Sequence, residues 1–241
     1  MTDAMTQTER QTIRTPLSRE RVLEGAVALA DERGLDALSM RNLAETLDVE
    51  AMSLYYHVAN KEALLDGVAE VIINEIAEAA AEVAALAPED DWKPALRSRV
   101  LAARRVMLRH KWAARVFETR TTMSPTLLHY YHGILELWRR AGFSYDLAHH
   151  AMHALGSRAL GFSQELFQPA PGSDDDEINE EMMAQMAAEL PLLVEMLSEI
   201  SHDDPDSTIG WCDDQTEFEF GLDILLDGLE DRFRADGGSA G

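Results

Sequence analysis

From position 18 onward, apolar residues return every three or four positions and strict alternation is absent, so the chain reads as helix throughout. Ser18 suits an N-cap, Glu20 the first turn, and Val22, Ala26, Leu29 and Ala30 keep helical spacing up to a stop at Gly34. Ser39 caps a second helix in which Met40, Leu43, Ala44 and Leu47 share one face. Asp48 falls at the next break, and aspartate tolerates left-handed backbone better than most residues. A short third helix follows at about 50–57, and Asn60 caps a long fourth whose buried stripe is Leu64, Val68, Val71 and Ile72. Beyond "ALAPEDDW", helices are expected at about 92–110, 112–118, 124–141, 144–167, 178–200 and 216–235. Gly142, Pro169, Pro171, Gly172 and Pro205 fall in the connections. "APGSDDDE" and "HDDPDS" read as exposed loops and "DGGSAG" as a flexible tail. The expectation is an all-α chain.

Three short helices with a tight turn between the second and third make a helix-turn-helix. Leu43, Leu47, Val49, Leu54 and Val58 would hold it together. Because Leu54 and Val58 are four apart, they bury one face of the third helix. Glu50, Ala51, Ser53, Tyr56 and His57 then point away, with Met52 and Tyr55 at the margins. Such a surface suits a major groove. Ala and Met can touch a thymine methyl, Ser a base or phosphate, and Tyr and His phosphate oxygens. Arg41 and Lys61, at the starts of the second and fourth helices, can clamp the DNA backbone on either side.

Charge narrows this picture. The net charge of −23 argues against a general polyanion binder, so a nucleic-acid surface must be local. Residues 1–60 hold six arginines against ten acids, whereas Lys93 to Arg120 holds nine basic residues and one acid, Glu118. Between positions 159 and 231 there is no Lys or Arg. The single cysteine, Cys212, excludes an internal disulfide and fits a reducing compartment. No apolar run approaches the roughly 20 residues of a membrane span, and the first 15 residues lack a hydrophobic signal core. A cytoplasmic protein with no membrane partner is expected.

"LSMRNLAETLDVEAMSLYYHVANKEALLD" closely resembles the DNA-binding head of TetR-type repressors, through its L-A-x-x-L-x-V core and the L-Y-x-H-V-x-N-K run into the long helix. "RRAGFSYDLAHHAMHALGSRALG", "PLL" at 191 and "FEFGLDILLDGLED" resemble the ligand-binding core of the tetracycline-repressor branch. The chain departs from the family at the turn glycine, replaced by Asp48, and in the acidic balance of its head, which implies modest non-specific affinity. The resemblance implies a flexible arm at 1–17, a helix-turn-helix head at 18–64, an effector-binding and dimerisation domain at 65–236, and a tail at 237–241. It also implies a ligand-responsive regulator that binds double-stranded operator DNA as a homodimer and is no enzyme. Repression is the expected outcome, since a dimer on a promoter blocks polymerase without further contacts.

In that family two subunits pair through the eighth and last helices. Here these offer Gly156 and Gly161, which permit close approach, and Phe218, Leu222, Leu225, Leu226 and Leu229. An isologous dimer would read two half-sites about one DNA turn apart, roughly 34–36 Å. An effector would favour a head spacing that misses the two grooves. Tetracycline repressors hold a magnesium–drug complex with His, Asn, Phe and Gln side chains. The matching positions here are Ala77, Arg99, Ala103, Phe117 and Ile134, which do not reproduce that chemistry, and Glu165 alone does not make a magnesium site. No cofactor is expected. What remains is an apolar chamber of Ala103, Met107, Phe117, Ile134, Trp138 and Phe162, for a mostly apolar effector. Arg99, Ala103 and Met107 lie at i, i+4 and i+8, so Arg99 points a charge into it. Glu165, Glu136 or a ligand carboxylate must neutralise that charge.

Two alternatives stand beside this reading. An architectural DNA-binding protein needs the head but no effector. A metal-dependent hydrolase would use His149, His150 and His153 near Asp146, because His149 and His153 are i,i+4 on one face; the glutamate of a hydrolytic HExxH is lacking.

Overall fold

The computed structural model describes residues 16–84, 91–120, 123–161, 185, 187–192, 194–195 and 214–237. Its helices are α1 (Arg19–Arg33), α2 (Met40–Leu47), α3 (Ala51–Leu54), α4 (Lys61–Ala84), α5 (Trp92–Arg109), α6 (Ala113–Thr119), α7 (Pro125–Arg140), α8 (Tyr145–Gly161) and α9 (Asp214–Ala235), with a 3-10 turn at Leu35–Ala37. No strand occurs among the described residues. Of the helix expected at 178–200, residues 185, 187–189, 191–192 and 194–195 are helical and Leu190 is not, the others lying outside the described residues. Leu190 precedes Pro191, whose ring disfavours helical backbone at the residue before it. Packing divides the chain within α4, into a unit ending at Val71 and one starting at Ile72.

The first unit is built by its caps. Ser18 accepts from the Arg21 N–H, Ser39 from Asn42, and Asn60 Oδ1 from Ala63 at 2.8 Å. These oxygens satisfy amides that the first helical turn leaves unpaired, each typically worth about 1 kcal/mol. Val22, Leu29, Leu38, Leu43, Leu54, Leu64 and Val68 have no exposed surface and form the core. Two glycines permit its close contacts. A Cβ on Gly25 would come 2.7 Å from Leu47, and one on Gly67 2.6 Å from Leu23.

In the second unit α5, α7, α8 and α9 enclose one apolar core. Phe143, in the α7–α8 connection, stacks on Phe233 with ring centroids 4.6 Å apart and meets the edge of Trp92 at 4.8 Å. At the surface, ion pairs fasten α5 to α9. Lys93 Nζ lies 2.7 Å from Glu230, and Arg97 reaches Glu219 and Asp223, both at 2.7 Å. Hydrogen bonds to Asp223 and then Glu219 raise the Arg97 guanidinium pKa further still. Among the described residues, no helix is long and apolar enough to cross a membrane.

Candidate nucleic-acid interface and effector site

The turn before α3 forms because Asp48 takes left-handed backbone (φ 53, ψ 51), its N–H bonding back to the Ala44 and Glu45 carbonyls. The chain reverses within two residues, and the Ser53 N–H bonds to the Glu50 carbonyl at 2.8 Å as α3 begins. Leu54 and Val58 are buried and pin α3 down, as the four-residue spacing predicts. The helix is shorter than the expected 50–57. The His57 and Val58 amides both bond to the Leu54 carbonyl, which tightens residues 55–57 into a turn so that Asn60 can start α4.

That geometry splays the side chains. Tyr56 is 90% exposed and Met52 71%, so Met52 projects fully instead of lying at the margin. Tyr55, Glu50 and Lys61 are exposed, whereas Ala51, Ser53 and His57 are half-buried. His57 lies near Glu20 on α1. Arg41 is exposed and bonds Glu45 one turn on, Nε to Oε1 at 3.0 Å. Such a pair is worth at most about 1 kcal/mol, so Arg41 can exchange Glu45 for a phosphate.

On α5, Ala103 and Met107 are buried and Arg99, one turn before Ala103, is half-buried. On α7, Tyr130, Ile134 and Trp138 share a face by the same spacing. Arg99 and Tyr130 lie in each other's field. Burial lowers the Arg99 pKa, and Arg140 lowers it further. Burial first, then Tyr131, pushes the Tyr130 phenol up to about 12. Glu136 is not the acid that neutralises Arg99: it is exposed and sits 3.5 Å from His132, its own neighbour one turn back. Phe117 is half-buried on α6, while Phe162 and Glu165 lie outside the described residues.

Most of the residues expected at the subunit interface are used inside the single chain. Phe218, Leu222, Leu226 and Leu229 are buried within this one chain, and Leu225 packs against the same cluster. The α9 stripe packs against α5 and α8, which leaves Phe218, Leu222 and Leu226 no exposed surface and Leu229 little. The exposed apolar residues of α9 are instead Phe220 (64%) and Ile224 (55%), one turn apart. They fall outside the wide apolar stripe that the periodicity picks out. On α8, Gly156 is half-exposed and Gly161 ends the helix; Arg158 donates to the Glu217 and Phe218 carbonyls and ties α8 to α9.

The histidines of α8 are all exposed. His149 and His153 pack edge to face at 4.6 Å, and His150 turns to Asp146 at 3.7 Å. No group of three or more His, Cys, Asp or Glu placed to hold a metal occurs among the described residues.

Comparison with known proteins gives this arrangement a family. Residues 22–68 match the model for bacterial regulatory proteins of the tetR family, and residues 85–233 match that for the tetracyclin repressor-like C-terminal domain. The chain is 30% identical over 217 residues to the class C tetracycline repressor protein of Escherichia coli, covering 89% of this chain and 91% of that one. The crystal structure of a possible TetR family transcriptional regulator from Streptomyces coelicolor A3(2) is similar at a TM-score of 0.68 and 31% identity, covering 89% of this chain and 99% of the other. ActR from Streptomyces coelicolor, in complex with actinorhodin, is similar at a TM-score of 0.64 and 26% identity over 89% of this chain and 96% of its own. These relatives carry the names of transcriptional regulators and repressors, which supports the regulator reading. The chain belongs to the TetR family of ligand-responsive transcriptional repressors.

Proposed function

We propose that this repressor binds a palindromic operator as a homodimer and is released by a mostly apolar small molecule. The observation that carries the DNA-binding part is the pairing of Tyr56 and Met52, thrust into solvent on a helix whose other face is pinned by Leu54. Large side chains held out from a rigid short helix fit a groove better than they fit water. Arg41, Glu50, Ala51, Met52, Ser53, Tyr55, Tyr56, His57 and Lys61 form the contact surface, within a head at 18–64 followed by an effector and dimerisation domain at 65–236. Truncating Tyr56 or Lys61 to alanine is expected to weaken operator binding in a fluorescence-anisotropy titration. Loss of Lys61, a phosphate contact, should also reduce the salt slope by about 1. Wild-type affinity and salt dependence in both variants would refute the assignment.

The effector chamber is built on α5, α6 and α7 from Ala103, Met107, Phe117, Ile134 and Trp138, which offer surface but no inner ligands for a hydrated magnesium ion. Magnesium–tetracycline is therefore expected to leave the operator complex intact. Release at micromolar drug in the same titration would overturn that expectation.

A further inference from the structure

The effector-domain reading leaves one question, what the arginine on the chamber face of α5 is for. Arg97 and Arg99 are two positions apart and so point to different sides of the helix. Arg97 is held by two carboxylates of α9. Arg99 has no carboxylate partner among the described residues, and the charged group acting on it, Arg140, has the same sign. Two side-chain donors, Tyr130 and Trp138, share a face of α7 by their spacing. The Tyr130 phenol is half-buried and lies in the field of Arg99, and the Trp138 indole Nε1–H is buried without an acceptor among the described residues. A half-buried cation beside a second cation, with a phenol donor in its field, is an arrangement that an acceptor-bearing anion would complete.

Resting on that effector-domain reading, we propose that Arg99 and Tyr130 form an anion-accepting subsite of the chamber, so that the effector is an apolar molecule carrying one anionic group. The guanidinium takes the anion, Tyr130 donates a second hydrogen bond to it, and the apolar skeleton lies along Ala103, Met107 and Ile134. Arg140 reinforces the preference by making the local field positive.

The test uses two fluorescent probes with one skeleton, 8-anilinonaphthalene-1-sulfonate and the uncharged N-phenyl-1-naphthylamine, titrated against the full-length protein. A charge-assisted contact should make wild type bind the sulfonate at least about tenfold more tightly. Arg99→Met should abolish that preference while N-phenyl-1-naphthylamine binds as before, and Tyr130→Phe should reduce it. Arg105→Met, the loss of an exposed arginine on the same helix, should leave it unchanged. Arg99→Gln serves if the methionine variant does not fold. No preference in wild type, or the same preference in wild type and the Arg99 variant, overturns the subsite and leaves the chamber standing. Failure of wild type to bind either probe overturns the chamber itself, and the subsite with it.

Discussion

Phe220→Asp combined with Ile224→Asp is expected to give a folded monomer that no longer recognises its operator. Both side chains are mostly exposed and lie one turn apart on α9, away from the face that Phe218, Leu222 and Leu226 bury in the core. The double change should therefore leave the fold intact, because exposed positions usually tolerate substitution within about 0.5 kcal/mol. Across an isologous interface its effect is doubled. Each new carboxylate would occur twice about the two-fold axis, facing its like in a surface that must exclude water. A monomer reaches one half-site only and loses the second set of base contacts, so specific affinity should fall by at least about 10³, the low end of the margin between specific and non-specific binding. Sedimentation equilibrium at micromolar concentration reports the mass, circular dichroism the fold, and anisotropy the operator affinity. A variant that still sediments as a dimer would show that this face is not the interface. Leu222→Ala provides the contrast: its side chain is buried within the chain, so it should cost stability and leave the association state unchanged.

The head was legible because its determinants are local. Ser18, Ser39 and Asn60 cap as their positions require, Asp48 adopts the left-handed turn, and Leu54 and Val58 are buried. Each of these depends on residues three or four positions away. The end of α3 is the exception, a local matter that apolar spacing does not register: the Leu54 carbonyl takes the amides of both His57 and Val58. Features that depend on a distant partner are not legible from spacing. Gly25 and Gly67 look like ordinary helix glycines until Leu47 and Leu23 are brought against them. On α9 the periodicity gave the apolar stripe but not its destination. A helix packed within one chain and a helix packed against a second copy bury apolar residues at the same spacing, and only the path of α5 and α8 distinguishes them. Arg99 shows a different limit. Its placement on the Ala103 face followed from spacing, whereas the lack of Glu136 as a partner depended on where His132 stands.

Phe143→Ala is expected to be among the most destabilising single truncations in the second unit. Phe143 has no exposed surface, yet it belongs to a connection and not to a helix. Gly142 before it takes positive φ (93°), which turns the chain and drives the ring inward. There it meets Trp92 of α5, Trp138 of α7 and Phe233 of α9, so one side chain joins three helices distant in sequence. Removing a fully buried phenylalanine typically costs about 3–5 kcal/mol, because the lost transfer energy is compounded by a cavity that rigid neighbours cannot close. At roughly 2–4 °C per kcal/mol for a unit of this size, the melting temperature should fall by about 6–20 °C. The described tryptophans, 92, 112 and 138, lie in the second unit, and all four in the sequence follow position 71, so indole fluorescence follows that part of the chain even if it unfolds in two steps. Phe143→Leu should recover part of the loss by refilling volume while forfeiting the ring contacts. If alanine lowers the transition by less than about 2 °C, Trp92 and Phe233 must hold the core without the bridge, since a shift that small is under about 1 kcal/mol. If it falls as expected, binding of N-phenyl-1-naphthylamine should weaken too, because the stack that Phe143 makes with Trp138 also fixes the indole on the chamber face of α7.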